Sequence, residues 1–214
     1  MQKRLLTFSL ILNVILILTG GTLAFKFKEK LHQYLFPPSS NNILLVGDSL
    51  LALENWTFLL ERNDITNLAY GGAITLHILK NVEILSPKIK PKICVIEGGV
   101  NDLLAGVPEQ RVLENYIKMI HILQNQQIKP IVNAVIYTNL PEINHQITIL
   151  NQQLASFCQQ NQLVYVDANQ FLAEKETLKN QYSLDGIHLK KVAYPLWAKE
   201  LSDAIKKLEH KKNL

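Results

Sequence analysis

From residue 43 onward the hydrophobic pattern switches repeatedly between two periods. Ile43-Leu44-Leu45-Val46 is a continuous apolar run ended by glycine, which predicts a short strand buried on both faces. Residues 50–62 then read as a helix, with Leu53, Trp56, Leu59 and Leu60 on one side. Residues 65–70 predict a second strand, and 73–85 a second helix ended by Pro87. Strands at 92–97, 131–137 and 163–166 alternate with helices at 109–127, 142–160 and 190–207. Strands alternating with helices this long predict an α/β fold: a three-layer α/β/α domain around a doubly wound, parallel, five-stranded sheet. In such sheets ligands bind just beyond the carboxyl ends of the strands, so the chemistry is sought there.

Ahead of this body, residues 5–25 form an uncharged, largely apolar run, about 31 Å long as a helix and so matched to a bilayer core. It predicts an N-terminal transmembrane helix, with 1–30 a membrane anchor or alternatively a signal peptide cut after Thr22-Leu23-Ala24. The short basic N-terminus favours an extracytoplasmic domain, secreted if the segment is cleaved. Residues 31–42, with Pro37-Pro38-Ser39-Ser40-Asn41-Asn42, read as a linker, and 43–214 as the folded domain.

Charge narrows the partners. The net charge is +4, but Lys3, Arg4, Lys26, Lys28 and Lys30 against Glu29 account for all of it. A neutral body argues against nucleic acid as a partner. Cys94 and Cys158 each lie in an apolar pattern and are expected to be buried thiols. Nothing in the sequence has metal-ligand spacing or a phosphate-cradling loop, so neither metal nor cofactor is expected.

Six of the seven glycines in the body stand at four points: Gly47, Gly71-Gly72, Gly98-Gly99 and Gly186. Polar residues gather at the same points. Ser49 follows the first strand and opens a helix, where its hydroxyl would stand at the sheet edge; it or Asp48 could equally serve as the helix cap. Among six histidines, His188 alone follows a carboxylate by three residues in a glycine-containing turn. That spacing lets Asp185 accept Nδ1–H and leaves Nε2 free to face a nucleophile. Gly72 offers a backbone N–H and Asn101 a carboxamide which, with the Ser49 N–H, would make three donors for an oxyanion. Asp48 and Asp102 read as capping or loop residues. Glu97 ends a strand, where a charge is usually solvated, though it could support the site.

Taken together, Gly47-Asp48-Ser49-Leu50, Asn67-Leu68-Ala69-Tyr70-Gly71-Gly72, Gly99-Val100-Asn101-Asp102 and Asp185-Gly186-Ile187-His188-Leu189 resemble the four blocks of the SGNH (GDSL-type) hydrolase family, in order, over about residues 42–205. The resemblance implies a flavodoxin-like fold and hydrolysis of esters or thioesters without metal. It implies Ser49 as nucleophile, His188 as base and Asp185 as its orienting acid. Ser49, Gly72 and Asn101 then form the oxyanion hole, with Gly71 the neighbouring alternative to Gly72. The substrate would be a small-molecule, lipid or carbohydrate ester, in a cleft walled by residues 103–109 and 137–145. A carbohydrate O-acetylesterase, an O-acyltransferase at the cell envelope and a non-catalytic, membrane-tethered binding module are the alternatives.

Overall fold

The computed structural model describes residues 41–210, within the larger of two units, Ser40–Leu214. Five parallel strands make the central sheet in the order β2-β1-β3-β4-β5: β1 Ile43–Val46, β2 Ile65–Asn67, β3 Ile93–Ile96, β4 Lys129–Asn133 and β5 Val164–Val166. This is the flavodoxin-like order, with its switch point between β1 and β3. Ile43 pairs with Ile65 on one side and Ile93 on the other, so β1 and β3 end together at Val46 and Ile96.

Both faces of the sheet are covered, which explains the unbroken apolar runs. Alternate residues of β1 enter different cores. Ile43 and Leu45 pack with Trp56, Val95, Ile131, Trp197 and Leu201. Leu44 and Val46 pack with Cys94, Ile96, Tyr116, Met119, Leu150 and Leu154. The first layer is built from α1 Ser49–Ala52, α2 Trp56–Leu59 and α8 Tyr194–His210. The second is built from α3 Thr75–Ile89, α5 Glu109–Asn125 and α6 Pro141–Gln160. Two short helices, α4 Val100–Leu104 and α7 Asn169–Leu172, follow β3 and β5. Trp56 and Trp197 meet edge to face at 5.0 Å, with Tyr194 against both. Cys94 and Cys158 are buried free thiols.

Several boundaries differ from the sequence pattern for physical reasons. The helix expected over 50–62 is two helices, because the Leu51 carbonyl is taken by Trp56 Nε1 at 2.7 Å and Asn67 Nδ2 at 3.0 Å. Asn55 then caps the second piece through Phe58 N–H. Pro87 does not end α3: it forfeits one intrahelical bond near the terminus while its fixed φ remains helical. The helix stops at Lys90, whose φ of 52° is left-handed and whose N–H returns to Ser86 O. Past Ala134, whose N–H still reaches Val166 O of β5 at 2.8 Å, the chain up to residue 138 is bonded largely by side chains. Asn151 exchanges two bonds with the Val135 backbone, Asn144 two with Thr138, and Asn169 joins Tyr137 N–H to Val135 O. A hairpin of β6 Ala173–Glu174 and β7 Thr177–Leu178 turns on Lys175 and Glu176, both at positive φ, without the Asn-Gly signal of such turns.

The fold class needs one correction. Among the described residues no helix is long and apolar enough to cross a membrane. The described domain is the three-layer α/β/α unit, and it gives no support to the expected transmembrane helix, membrane partner or extracytoplasmic location. Residues 5–25, on which those expectations rested, lie outside the described residues.

Candidate active site

The first candidate comes directly off β1. Gly47 and Asp48 turn the chain, and Asp48 caps α1 by accepting the Leu50 N–H at 2.9 Å. The cap role therefore falls to Asp48, which leaves Ser49 at the first helical position with a half-buried side chain. Its N–H is one of the amides that no intrahelical carbonyl can reach, at the positive end of the helix.

His188 arrives from the opposite end of the sequence. Residues 183–189 form a loop closed by the Ser183–Leu189 bridge and by Leu184 N–H to His188 O at 2.8 Å. Gly186 ties it down twice, donating to Ser183 Oγ at 2.8 Å and accepting from Asn139 N–H at 2.7 Å. This brings His188 Nε2 to 3.1 Å from Ser49 Oγ, across 139 residues of chain. The other ring nitrogen, Nδ1, lies 2.7 Å from Asp185 Oδ2. Asp185 Oδ1 accepts the backbone N–H groups of His188 at 2.8 Å and Ile187 at 3.0 Å. Those bonds, the His188 amide first and its ring next, hold the Asp185 carboxyl at a pKa of about 2 although it is largely in water.

The donors expected for an oxyanion come from the neighbouring strand ends. Gly72 is exposed after β2, with a φ of 73°. Asn101 lies in α4 just after β3, and its Nδ2 donates to Ala73 O at 3.1 Å and, more weakly, to Asp48 Oδ2 at 3.4 Å. The Asn101 carboxamide thus fastens the loop carrying Gly72 to the turn carrying Ser49. Asp102 is buried and serves α3 instead, accepting Thr75 N–H at 2.8 Å and Thr75 Oγ1 at 2.6 Å.

Glu97 departs from its expected solvation: it is 1% exposed, and Oε2 accepts the Asp48 backbone N–H at 3.3 Å. Burial raises the pKa of Asp48 to about 6 and that of Glu97 well above the carboxylate range. The sequence signal for this pair was only the charge ending an otherwise apolar strand.

A serine, an imidazole and a carboxylate in bonded series at the switch point of a flavodoxin-like sheet define a site of the serine-hydrolase class. The sequence model of the GDSL-like Lipase/Acylhydrolase family matches residues 45–195. The chain belongs to that family. Among solved structures it is similar to a GDSL-like lipase from Bacteroides thetaiotaomicron, with a TM-score of 0.70 and 19% identity, covering 86% of this chain and 98% of that one. It is also similar to the psychrotrophic esterase EstA from Pseudoalteromonas sp., with a TM-score of 0.63 and 23% identity, covering 80% of this chain and all of the other. At these identities the likeness is one of fold. An N-acylneuraminate cytidylyltransferase of Streptococcus agalactiae is 30% identical over 176 residues. That match takes in 79% of this chain but only 40% of the relative's length.

Proposed function

We propose that this chain hydrolyses carboxylic esters or thioesters through an acyl-enzyme, with Ser49 as nucleophile, His188 as general base and Asp185 as its orienting acid. The observation that carries this reading is the unbroken series Ser49 Oγ–His188 Nε2, 3.1 Å, and His188 Nδ1–Asp185 Oδ2, 2.7 Å. With Nδ1–H donated to Asp185, Nε2 accepts the Ser49 proton as Oγ attacks the acyl carbon. The carbonyl oxygen becomes an oxyanion facing the Ser49 and Gly72 amides, and Asn101 Nδ2 joins them by exchanging one of its two bonds, the one to Ala73 O. His188 then returns the proton to the leaving alkoxide or thiolate. Water, deprotonated by the same nitrogen, cleaves the acyl-enzyme and restores Ser49.

A carbohydrate O-acetyl ester is the more specific substrate reading. Its support is the alignment of most of this domain with a relative named for an N-acylneuraminate, an acylated sugar acid. Both readings are tested on one preparation. A fluorophosphonate should label Ser49 in the wild-type protein and leave Ser49→Ala unlabelled. A panel of p-nitrophenyl esters and O-acetylated sugars then ranks substrates by kcat/KM. Turnover retained by a folded Ser49→Ala protein would overturn the assignment, and exclusive cleavage of long-chain esters would overturn the sugar-ester reading.

A further inference from the structure

Glu97 takes no part in the reaction as drawn, yet it lies directly under the nucleophile's turn. A Cβ on Gly47 would sit 2.7 Å from Glu97 Oε2 and 3.1 Å from its backbone oxygen, so Gly47 is the residue that lets this carboxyl approach. Glu97 Oε2 accepts the Asp48 backbone N–H at 3.3 Å, which holds the two acidic side chains at the same buried turn. Asp48 is fully buried, and Glu97 Oε1 receives no donor among the described residues. Two acids this deeply buried at one turn, with no cation bonded to either among the described residues, are not both ionised, so one of them carries a proton. The donors around them decide which acid carries it. Leu50 N–H at 2.9 Å and Asn101 Nδ2 at 3.4 Å reach the Asp48 carboxyl, against the single Asp48 N–H on Glu97, which makes Asp48 the acceptor and Glu97 the proton bearer.

We propose that Glu97 donates its carboxyl proton to the Asp48 carboxylate and by this bond positions the site. The bond holds Asp48 simultaneously against the first turn of the Ser49 helix and against the Asn101 carboxamide. Nucleophile and side-chain oxyanion donor thereby keep one spacing. Glu97 is a positioning residue that touches no substrate, and its role rests on the assignment of Ser49 as nucleophile. The other titratable groups acting on the pair are Asp102, His188, Tyr116 and Tyr194, none of them a lysine or arginine that could hold two carboxylates ionised. Tyr116 is committed elsewhere, donating to Gly98 O at 2.8 Å.

The test compares Glu97→Ala with Glu97→Gln, whose amide N–H can replace the carboxyl proton. Glu97→Ala should lower kcat on a p-nitrophenyl ester about 10- to 100-fold, the scale of a misplaced reacting group, with KM little changed. Fluorophosphonate labelling of Ser49 should slow in parallel. Glu97→Gln should recover to within about threefold of wild type, on the same scale of positioning effects, and lack any loss of rate that wild type shows as Glu97 ionises in alkali. Unchanged kcat in Glu97→Ala, equal damage in both variants, or identical alkaline limbs in wild type and Glu97→Gln would each overturn the inference. If Glu97→Ala does not fold, infrared spectroscopy of the intact protein decides. A protonated-carboxyl band at pH 7 that disappears in Glu97→Gln supports the shared proton, and its absence from wild type refutes it. Failure of the wild-type protein to label would overturn the Ser49 reading and this inference with it. Labelling of wild type and Glu97→Ala at one rate would overturn the inference alone.

Discussion

Replacing Asp185 by asparagine separates that side chain's charge from its shape. In the Asp185→Asn protein, Oδ1 can still accept the amides of His188 and Ile187, which lie 2.8 and 3.0 Å from it. The loop should therefore keep its conformation. The carboxamide NH2 then occupies the place of Oδ2, 2.7 Å from His188 Nδ1. A donor there forces Nδ1 to accept, which moves the ring proton to Nε2 and aims it at Ser49 Oγ. The base faces its nucleophile in the wrong tautomer, and kcat should fall about 10³- to 10⁴-fold. That is roughly 4–5.5 kcal/mol of lost transition-state stabilisation.

Asp185→Ala provides the control, because the carboxylate is half exposed at 50%. Water can enter the vacated position and accept Nδ1–H, so the correct tautomer survives and the loss should be smaller, about 10²- to 10³-fold. Stability should show the opposite order, since alanine strands two backbone amides that asparagine still satisfies. The charge itself adds little. The folded pKa is about 2 against an ordinary 3.8, so its stabilisation is complete above about pH 4 and is lost as pH falls through 2. Solvent screening at so open a site keeps it below about 1 kcal/mol. The assay is kcat/KM on p-nitrophenyl butyrate beside urea unfolding of the same proteins. An alanine variant slower than the asparagine variant, or an asparagine variant within tenfold of wild type, would refute the tautomer argument.

Three further outcomes follow from the packing beneath the site. Gly47→Ala would place its Cβ 2.8 Å from Leu51 Cδ1 as well as against Glu97, and overpacking of this kind should cost about 1–3 kcal/mol in urea unfolding, with activity reduced. Trp197→Phe removes the indole N–H that reaches Asn133 Oδ1 at 2.9 Å; the orphaned carbonyl and the gap beside Trp56 should together cost about 2–4 kcal/mol in the same measurement without altering the substrate ranking. Asp48→Asn keeps the Leu50 cap but turns an NH2 toward the donors that face Asp48, so kcat/KM should fall about 10- to 100-fold on a p-nitrophenyl ester. A folded pKa near 6 against an ordinary 3.8 means the native state binds the proton more tightly, so wild-type stability falls as pH rises from about 4 to above 6. The variant should lack that slope when unfolding is followed across the range.

How far the sequence could be read depended on whether a signal was carried by apolar periodicity or by polar contacts across the chain. The five strands and the long helices announce themselves because each buries a stripe or a run, and burial is what hydrophobic patterning records. Ser49, Asp185 and His188 were legible because the first ends a buried strand at a helix start and the other two lie three residues apart in one turn. The residues that were misread depend on partners distant in sequence. The break after Leu51 is made by Trp56 and by Asn67 on the adjacent strand. The extended chain from 135 to 138 looks like more of β4, yet three asparagines from α6 and α7 bond most of it. Glu97 resembled a solvated strand end because nothing local shows that Asp48, 49 residues earlier, folds over it.

These misread positions share a location, and the location explains them. Where parallel strands end at their carboxyl edge, backbone groups run out of ladder partners and must be bonded by side chains, by water or by a ligand. Here the ends of β1, β3 and β4 are met by Asp48, Glu97, Asn101, Asn144, Asn151 and Asn169, four of them carboxamides that donate and accept at once. Neutral polar partners would satisfy that edge at lower cost than two buried acids, whose desolvation works against folding. A fold alone has no need of two acids there, because one uncharged acceptor at position 97 would satisfy the Asp48 N–H. What the pair supplies is a polar mount whose geometry is set by hydrogen-bond length, under the one turn where Ser49 must meet a histidine from the far end of the chain. Local disagreement between burial and residue type is therefore greatest where the chemistry is, which is where a sequence consistent at every other level is free to depart from the rules of packing.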